Sequence, residues 1–257
     1  MKRLILIALT LLSYPALAKD INLTADTQVE WHQKENKMVA IGNALVTKDN
    51  MSINANKITA HYESKKGKSA ITSMFAEGKV IMKSVKATAY GSTLDYNLKK
   101  DHAILSGKPA KIKTDKETIT ATKSITYYPQ KQIAIAEGEV VLDNGENKVY
   151  SDKLISYFKS GSKKDAFEVD KIEIFDNIKI VSRNTSVTAS RGEYHPQTGI
   201  VKLFDNVTIE QDGNILKGDK AESDLNTGIS RLLSSPDGRV SGVFKEKPKE
   251  KTNVKKQ

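Results

Sequence analysis

The feature that most constrains this chain is an internal repeat of about 30 to 38 residues, present six times with a seventh half-copy. Each copy carries a first landmark: a Gly or Asp, one further residue, then small or β-branched residues at alternating positions. It reads Gly42-Asn43-Ala44, Gly78-Lys79-Val80, the looser Gly107-Lys108-Pro109-Ala110, Gly138-Glu139-Val140, Asp176-Asn177-Ile178 and Asp205-Asn206-Val207, and Gly238-Arg239-Val240 begins the seventh. Eleven to fourteen residues later comes a second landmark, a small residue in a strand-like run: Ala55, Ala89, Ala121, Ser151, Ala189 and Gly218. The two series keep step along the chain. A period of this kind means stacked copies of one supersecondary unit, each burying an apolar face against its neighbours.

Within the copies alternation dominates. Ala134, Ala136, Gly138, Val140 and Leu142 fall on one face of a strand, with Ile133, Ile135 and Glu137 on the other. The alternation slips phase at Asn56-Lys57, and the same slip is read at Thr122-Lys123 and Asp152-Lys153, which predicts bulges that curve the sheet. Turn residues sit inside the repeats at Asp49-Asn50, Asp115-Lys116, Asn144-Gly145, Asn184 and Asp212-Gly213. Further turns separate the repeats, among them 65–68, 99–101, 160–164, 196–199 and 226–228. The result is an all-β chain of twelve to fourteen antiparallel strands, each of six to nine residues, with no segment of helical period. Both faces of many strands carry apolar or small residues, so two facing sheets or one wound sheet would bury them better than a flat one. The small interior residues leave two readings open: tight stacking, or an apolar groove along the axis.

The ends are separate from this body. Lys2 and Arg3, the apolar run Leu4 to Leu12, and Ala16-Leu17-Ala18 form the pattern of a cleaved secretory signal over residues 1–18. The run is too short to span a bilayer, so the mature chain is expected to begin at Lys19 in an exported compartment. Residues 19–244 then form one domain, because a stacked array offers no internal boundary. Residues 245–257 hold six lysines against two glutamates and read as a disordered basic tail. The formal net charge of +10 would favour an anionic partner, while the export signal disfavours nucleic acid. The chain has no cysteine, which excludes disulfides and thiol chemistry.

No catalytic constellation stands out. His32, His61, His102 and His195 lack metal-ligand spacing. Asp219, Glu222 and Asp224 lack the glycine and spacing of a calcium loop. No cofactor or metal is expected. Trp31 is placed as a cap on the first layer, and the tyrosines as strand-end packing.

The stretch Ile41-Gly42-Asn43-Ala44-Leu45-Val46 followed by Ser52-Ile53-Asn54-Ala55-Asn56-Lys57-Ile58 resembles the periplasmic lipopolysaccharide-transport protein A (OstA-like) family. So do Ile215 to Ala221 and the closing Asp237-Gly238-Arg239-Val240-Ser241-Gly242-Val243-Phe244. The resemblance covers Ile21 to about Phe244. It implies an OstA-like β-jellyroll of stacked antiparallel strands that holds the acyl chains of lipopolysaccharide in its apolar interior. It also implies a periplasmic location and head-to-tail stacking with inner- and outer-membrane transport components of the same fold, or with further copies of the chain. This chain departs from the short members by extra middle repeats, roughly residues 107–200, which leaves its protomer length and assembly state open. Inward strand positions are the expected lipid contacts: Val46, Ile53, Ala55, Ile58, Val80, Met82, Leu94, Tyr96, Val140 and Leu142. Free edges near Ile21–Glu30 and Val240–Phe244 would serve the stacking. Two other readings compete. One is an envelope scaffold without lipid cargo. The other is a β-solenoid enzyme acting on polysaccharide, against which the hairpin turns inside each repeat argue.

Overall fold

The computed structural model describes residues 21–65, 68–159, 168–227, 229–235 and 238–245. The signal segment 1–18, the mature start at Lys19, the turn at 160–164 and nearly all of the tail lie outside the described residues. One antiparallel sheet contains all 18 described strands. They are β1 (Asn22–Thr24), β2 (Gln28–His32), β3 (Lys37–Lys48), β4 (Met51–Lys65), β5 (Lys68–Lys83) and β6 (Ala87–Asn97). Next come β7 (His102–Ser106), β8 (Ala110–Thr114), β9 (Thr118–Ala121), β10 (Ser124–Tyr128), β11 (Ile133–Asp143) and β12 (Asn147–Phe158). The last are β13 (Val169–Ser182), β14 (Thr185–His195), β15 (Ile200–Gln211), β16 (Asn214–Asp224), β17 (Ile229–Leu233) and β18 (Ser241–Val243). The described residues contain one helical turn, the three-residue 3₁₀ segment Gln33–Glu35.

The short strands are halves of broken long ones. β1 and β2 pair with the two ends of β3. β7 and β8 pair with the two ends of β6, β10 and β9 with those of β11, and β17 and β18 with those of β16. Counted this way the described chain makes fourteen crossings in a meander. The expected strand number holds, but the expected length of six to nine residues does not: the ten unbroken strands run from 11 to 16 residues. The backbone passes through each bend without leaving the ladder.

The bend is the first landmark of the repeat. On β3, β5, β11, β13 and β15 two successive residues have positive φ: Gly42 and Asn43, Gly78 and Lys79, Gly138 and Glu139, Asp176 and Asn177, Asp205 and Asn206. That conformation explains the residue types, since Gly, Asn and Asp tolerate the left-handed region best. Both residues lie outside the register, which resumes with Ala44 facing Ala55, Val140 facing Ser151, Ile178 facing Ala189 and Val207 facing Gly218. The two landmarks are therefore cross-strand partners at one corner, and this is why they keep step. In the β5–β6 copy the partner of Val80 is Gly91. Ala89, read from sequence as the landmark there, stands two residues further on, opposite Met82.

The strands facing these corners leave one residue unpaired, Asn56 on β4 and Asp152 on β12, and with a period of two that flips every later side chain to the other face. Inward positions run Ile53, Ala55, then Ile58, Ala60 on β4, and Val149, Ser151, then Leu154, Ser156 on β12. The slip expected at Thr122-Lys123 does not occur. There Ile119, Ala121, Ile125 and Tyr127 stay in phase, because two residues interrupt the strand rather than one, and their N–H groups bond back to Gly138 and Glu137.

Inward residues from both sides of the corners, such as Ala40 and Val46 on β3, join one hydrophobic cluster. The sheet thus folds along the line of corners into two walls facing each other, an antiparallel β-jellyroll. The first wall holds residues such as 37–41 and 57–62, the second residues such as 44–48 and 51–55. The hairpins at Asp49, Asn144 and Asp212-Gly213 lie at the second wall's free rim. There Asn144 Oδ1 accepts from the Asn147 N–H at 2.7 Å.

Small residues at the corner are a spatial requirement. A methyl group on Gly91 would stand 2.6 Å from the Ser106 carbonyl oxygen and 2.7 Å from Leu105 Cδ1. Gly91→Ala is expected to lower stability by about 1–3 kcal/mol through overpacking, read as a fall in the urea midpoint at unchanged slope. An unchanged midpoint would mean the corner relaxes freely.

Candidate functional site

Cross-strand registers turn the inward residues into rows that run the length of the molecule. On the second wall the row passes Leu23, Val46, Ile53, Met82 and Ala89, continues through Ile112, Ile119, Leu142 and Val149, and ends through Ile180, Val187, Ile209, Leu216 and Gly242. On the first wall a row nearer the corner passes Val29, Ala40, Ile58, Ala76, Leu94 and Leu105. It runs on through Ile125, Ala136, Leu154 and Ile174 to Leu203 and Leu232. Apart from Gly192, between Ile174 and Leu203, and Gly242, both rows are aliphatic. Fourteen crossings at about 4.8 Å make them about 62 Å long.

The ten sequence-predicted positions all belong to this interior. Val46, Ile53, Met82 and Leu142 share the second-wall row, and Ile58 and Leu94 the first-wall row. Ala55, Val80 and Val140 stand at the corners, and Tyr96 near the first wall's rim. Nine of the ten are buried and Tyr96 is half-buried. Burial pushes the Tyr96 phenol pKa up, consistent with a hydroxyl in apolar surroundings.

The interior is not uniformly closed. From Val46 to Val149 the second-wall row is buried, while Ile180, Val187, Ile209 and Leu216 on the same row are only partly so. The more accessible apolar section lies between β13 and β16, beyond every position singled out from sequence. The signal for it was present, since the Asp-Asn landmarks carry the same alternation as the Gly ones. What sequence lacked was any measure of how closely the walls approach.

Polar candidates resolve into structural roles. Asp219 accepts from the Ser235 N–H at 2.6 Å, Asp224 from the Asn226 N–H at 2.8 Å, and Glu222 lies 3.7 Å from Arg231. His32, His102 and His195 each sit beside a carboxylate, of Glu30, Asp95 and Glu193 respectively. Among the described residues no group of three or more such side chains is placed to hold a metal. Trp31, expected to cap the first layer, donates from Nε1 to Tyr62 Oη at 2.7 Å and is 65% exposed. At the opposite end Phe244, with its ring over Gly242, is 71% exposed.

Two buried hydroxyls, Ser151 Oγ and Ser156 Oγ, have no hydrogen-bond partner among the described residues. A cavity of roughly 210 Å³ at one corner is lined by Glu139, Val140, Val141, Tyr150, Ser151, Asp152 and Asn177.

This architecture matches a known family. The model of the LptA/(LptD N-terminal domain) LPS transport protein family fits residues 22–133 and again 123–229. The chain belongs to that family, and a general role in lipopolysaccharide transport follows. The double match agrees with a longer period: Gly42 to Gly138, Gly78 to Asp176, Gly107 to Asp205 and Gly138 to Gly238 are 96, 98, 98 and 100 residues apart. Of the extra middle repeats, residues 107–133 lie within the first match and residues 123–200 within the second. Among solved structures, LptH, the LptA homologous periplasmic component of the conserved lipopolysaccharide transport device from Pseudomonas aeruginosa, aligns at 14% identity. The alignment covers 89% of this chain and 96% of that one with a TM-score of 0.23. No curated protein sequence matches the chain.

The unequal closure makes a direct forecast. Asp at Val80 or Ile53 buries an unpaired charge and is expected to cost several kcal/mol and the native fold. Ile209→Asp, in the accessible section, keeps the fold. Circular dichroism and urea denaturation of the variants check this, and equal losses would mean both sections are closed alike.

Proposed function

We propose that this protein carries lipopolysaccharide through the periplasm, sheltering lipid A acyl chains between its two walls. The observation that carries the reading is the pair of aliphatic rows, interrupted only at Gly192 and Gly242, that run through the described strands of a family member. Acyl chains crossing water need apolar cover worth about 0.8 kcal/mol per buried CH₂, and two facing aliphatic walls provide it without catalytic groups. The section from β13 to β16 is where acyl chains enter first, because its row already meets solvent. Val46, Ile53, Ala55, Ile58, Val80, Met82, Leu94, Tyr96, Val140 and Leu142 contact lipid only once the walls part.

The same proposal includes a bridge between membranes. With fourteen crossings, an even number, the edge strands β1/β2 and β17/β18 run antiparallel. The last of one copy can therefore pair with the first of the next while the alternation continues. Val29 and Trp31 at one edge, and Ile229, Leu233, Val243 and Phe244 at the other, are exposed apolar side chains that such a joint would cover. Joining unlike ends propagates, and main-chain hydrogen bonds supply the affinity. Partners are lipopolysaccharide, further copies of this chain, and inner- and outer-membrane transport components with the same fold.

Native mass spectrometry of the purified protein mixed with lipopolysaccharide or an ordinary phospholipid tests the cargo. Selective, stoichiometric retention of lipopolysaccharide is expected. No retention by folded protein would favour an envelope scaffold without cargo. For the joint, deleting Val240–Phe244 is expected to abolish concentration-dependent self-association in light scattering. It should also abolish the accompanying blue shift of Trp31, the sole tryptophan. Unchanged scattering would remove the edge joint from the proposal.

A further inference from the structure

The interior has a third row, and it differs from the two aliphatic ones. Along the first wall, nearer its free rim, the register links Trp31, Met38, Ala60, Met74 and Tyr96, and then Ala103, Tyr127, Ala134 and Ser156. It continues through Ile172, Tyr194, Val201 and Ser223 to Ser230. Six of these side chains carry hydroxyls: Tyr96, Tyr127, Ser156, Tyr194, Ser223 and Ser230. The row lies two residues along each strand from the aliphatic row beside it, on the same inward face. The lining of the first wall is therefore sided: the row toward the corner carries no hydroxyl, and six of the fourteen positions toward the rim carry one.

Ser156 gives this line its chemical meaning. It is 1% exposed, and its Oγ has no hydrogen-bond partner among the described residues. Its cross-strand neighbours are Ala134 and Ile172, neither of which has a side chain that can bond it. Two residues further along β12, Phe158 packs edge-on against Tyr127 with ring centroids 6.1 Å apart. A buried hydroxyl without a partner is a standing cost in the empty protein. Alanine at this position would fit the small-residue pattern of the row and carry no such cost. Ser223 and Ser230, by contrast, bond each other at 2.9 Å. The Ser156 hydroxyl is buried, and no group among the described residues partners it.

We propose that the hydroxyl row reads a polar oxygen on the bound acyl lipid, with Ser156 donating to an acyl-chain hydroxyl or ester carbonyl near the lipid's head. This rests on the carrier reading above and adds an orientation to it. Tails lie toward the corner along the aliphatic rows, and the oxygen-bearing ends follow the rim of the first wall. The protein then prefers hydroxyacyl over plain acyl ligands.

The test compares two probes that differ by one oxygen, 3-hydroxydodecanoic acid and dodecanoic acid, by calorimetric titration of the full protein and of Ser156→Ala. The wild type is expected to bind the hydroxy acid about five to ten times more tightly, the worth of one net hydrogen bond, and Ser156→Ala brings the ratio to about one. Ser156→Ala should also melt no lower than wild type without ligand, since it removes an unsatisfied group. A wild-type ratio of one with both acids bound, or a ratio surviving in Ser156→Ala, overturns the hydroxyl assignment and leaves the carrier reading intact. Failure of both acids and of lipopolysaccharide to bind folded wild type overturns the carrier reading, and the hydroxyl assignment with it.

Discussion

Everything in this structure depends on a backbone conformation that most residues avoid. Two consecutive left-handed residues, placed in every second strand of the unbroken runs, turn the chain through a corner while the ladder on either side continues. Because the corners align from strand to strand, one sheet becomes two facing walls, and the inward residues of both become one core. Without the corners the same alternating strands would make a flat ribbon with one face open to water. A corner also fixes what may stand opposite it. The facing residue is Ala, Ser or Gly because the partner backbone and the inward side chains of the next strand already fill that space.

That physics decided what could be read from sequence. The period, the all-β class and the inward face of most strands were legible, because alternation and left-handed residue types are local signals. The corner itself was seen only as a landmark, and the pairing of the two landmarks across the ladder needed the register. Gly91 was missed for Ala89 because both are small and only one faces the bend. Thr122-Lys123 was read as a phase slip by analogy with Asn56-Lys57. One unpaired residue reverses the faces and two do not, and residue types alone do not reveal that count. The ten interior positions were found for the same reason the strands were, by periodicity. How near the walls stand to each other is a property of the packed whole, so the accessible stretch through Ile180, Val187, Ile209 and Leu216 had no local signature.

The closed middle of the molecule bears on how a carrier of this kind could work. Between Val46 and Val149 the two walls fill each other's space, so an acyl chain entering there must replace wall-to-wall contacts with wall-to-lipid contacts. Aliphatic side chains gain much the same from either partner, since dispersion and burial depend on contact and area rather than on identity. The exchange is then close to balanced, and what drives it is the water released from the lipid, about 0.8 kcal/mol for each CH₂ covered. A dry interior that re-forms behind the cargo would hold neither water nor a permanent cavity. On this view the packed core and the lipid groove are one set of residues in two states, and the partly open section near β13 to β16 is where the second state begins. The alternation of small and large residues along the rows, Ala40 with Ile58 and Ala76 with Leu94, gives each wall a relief into which either the other wall or a flexible chain can settle.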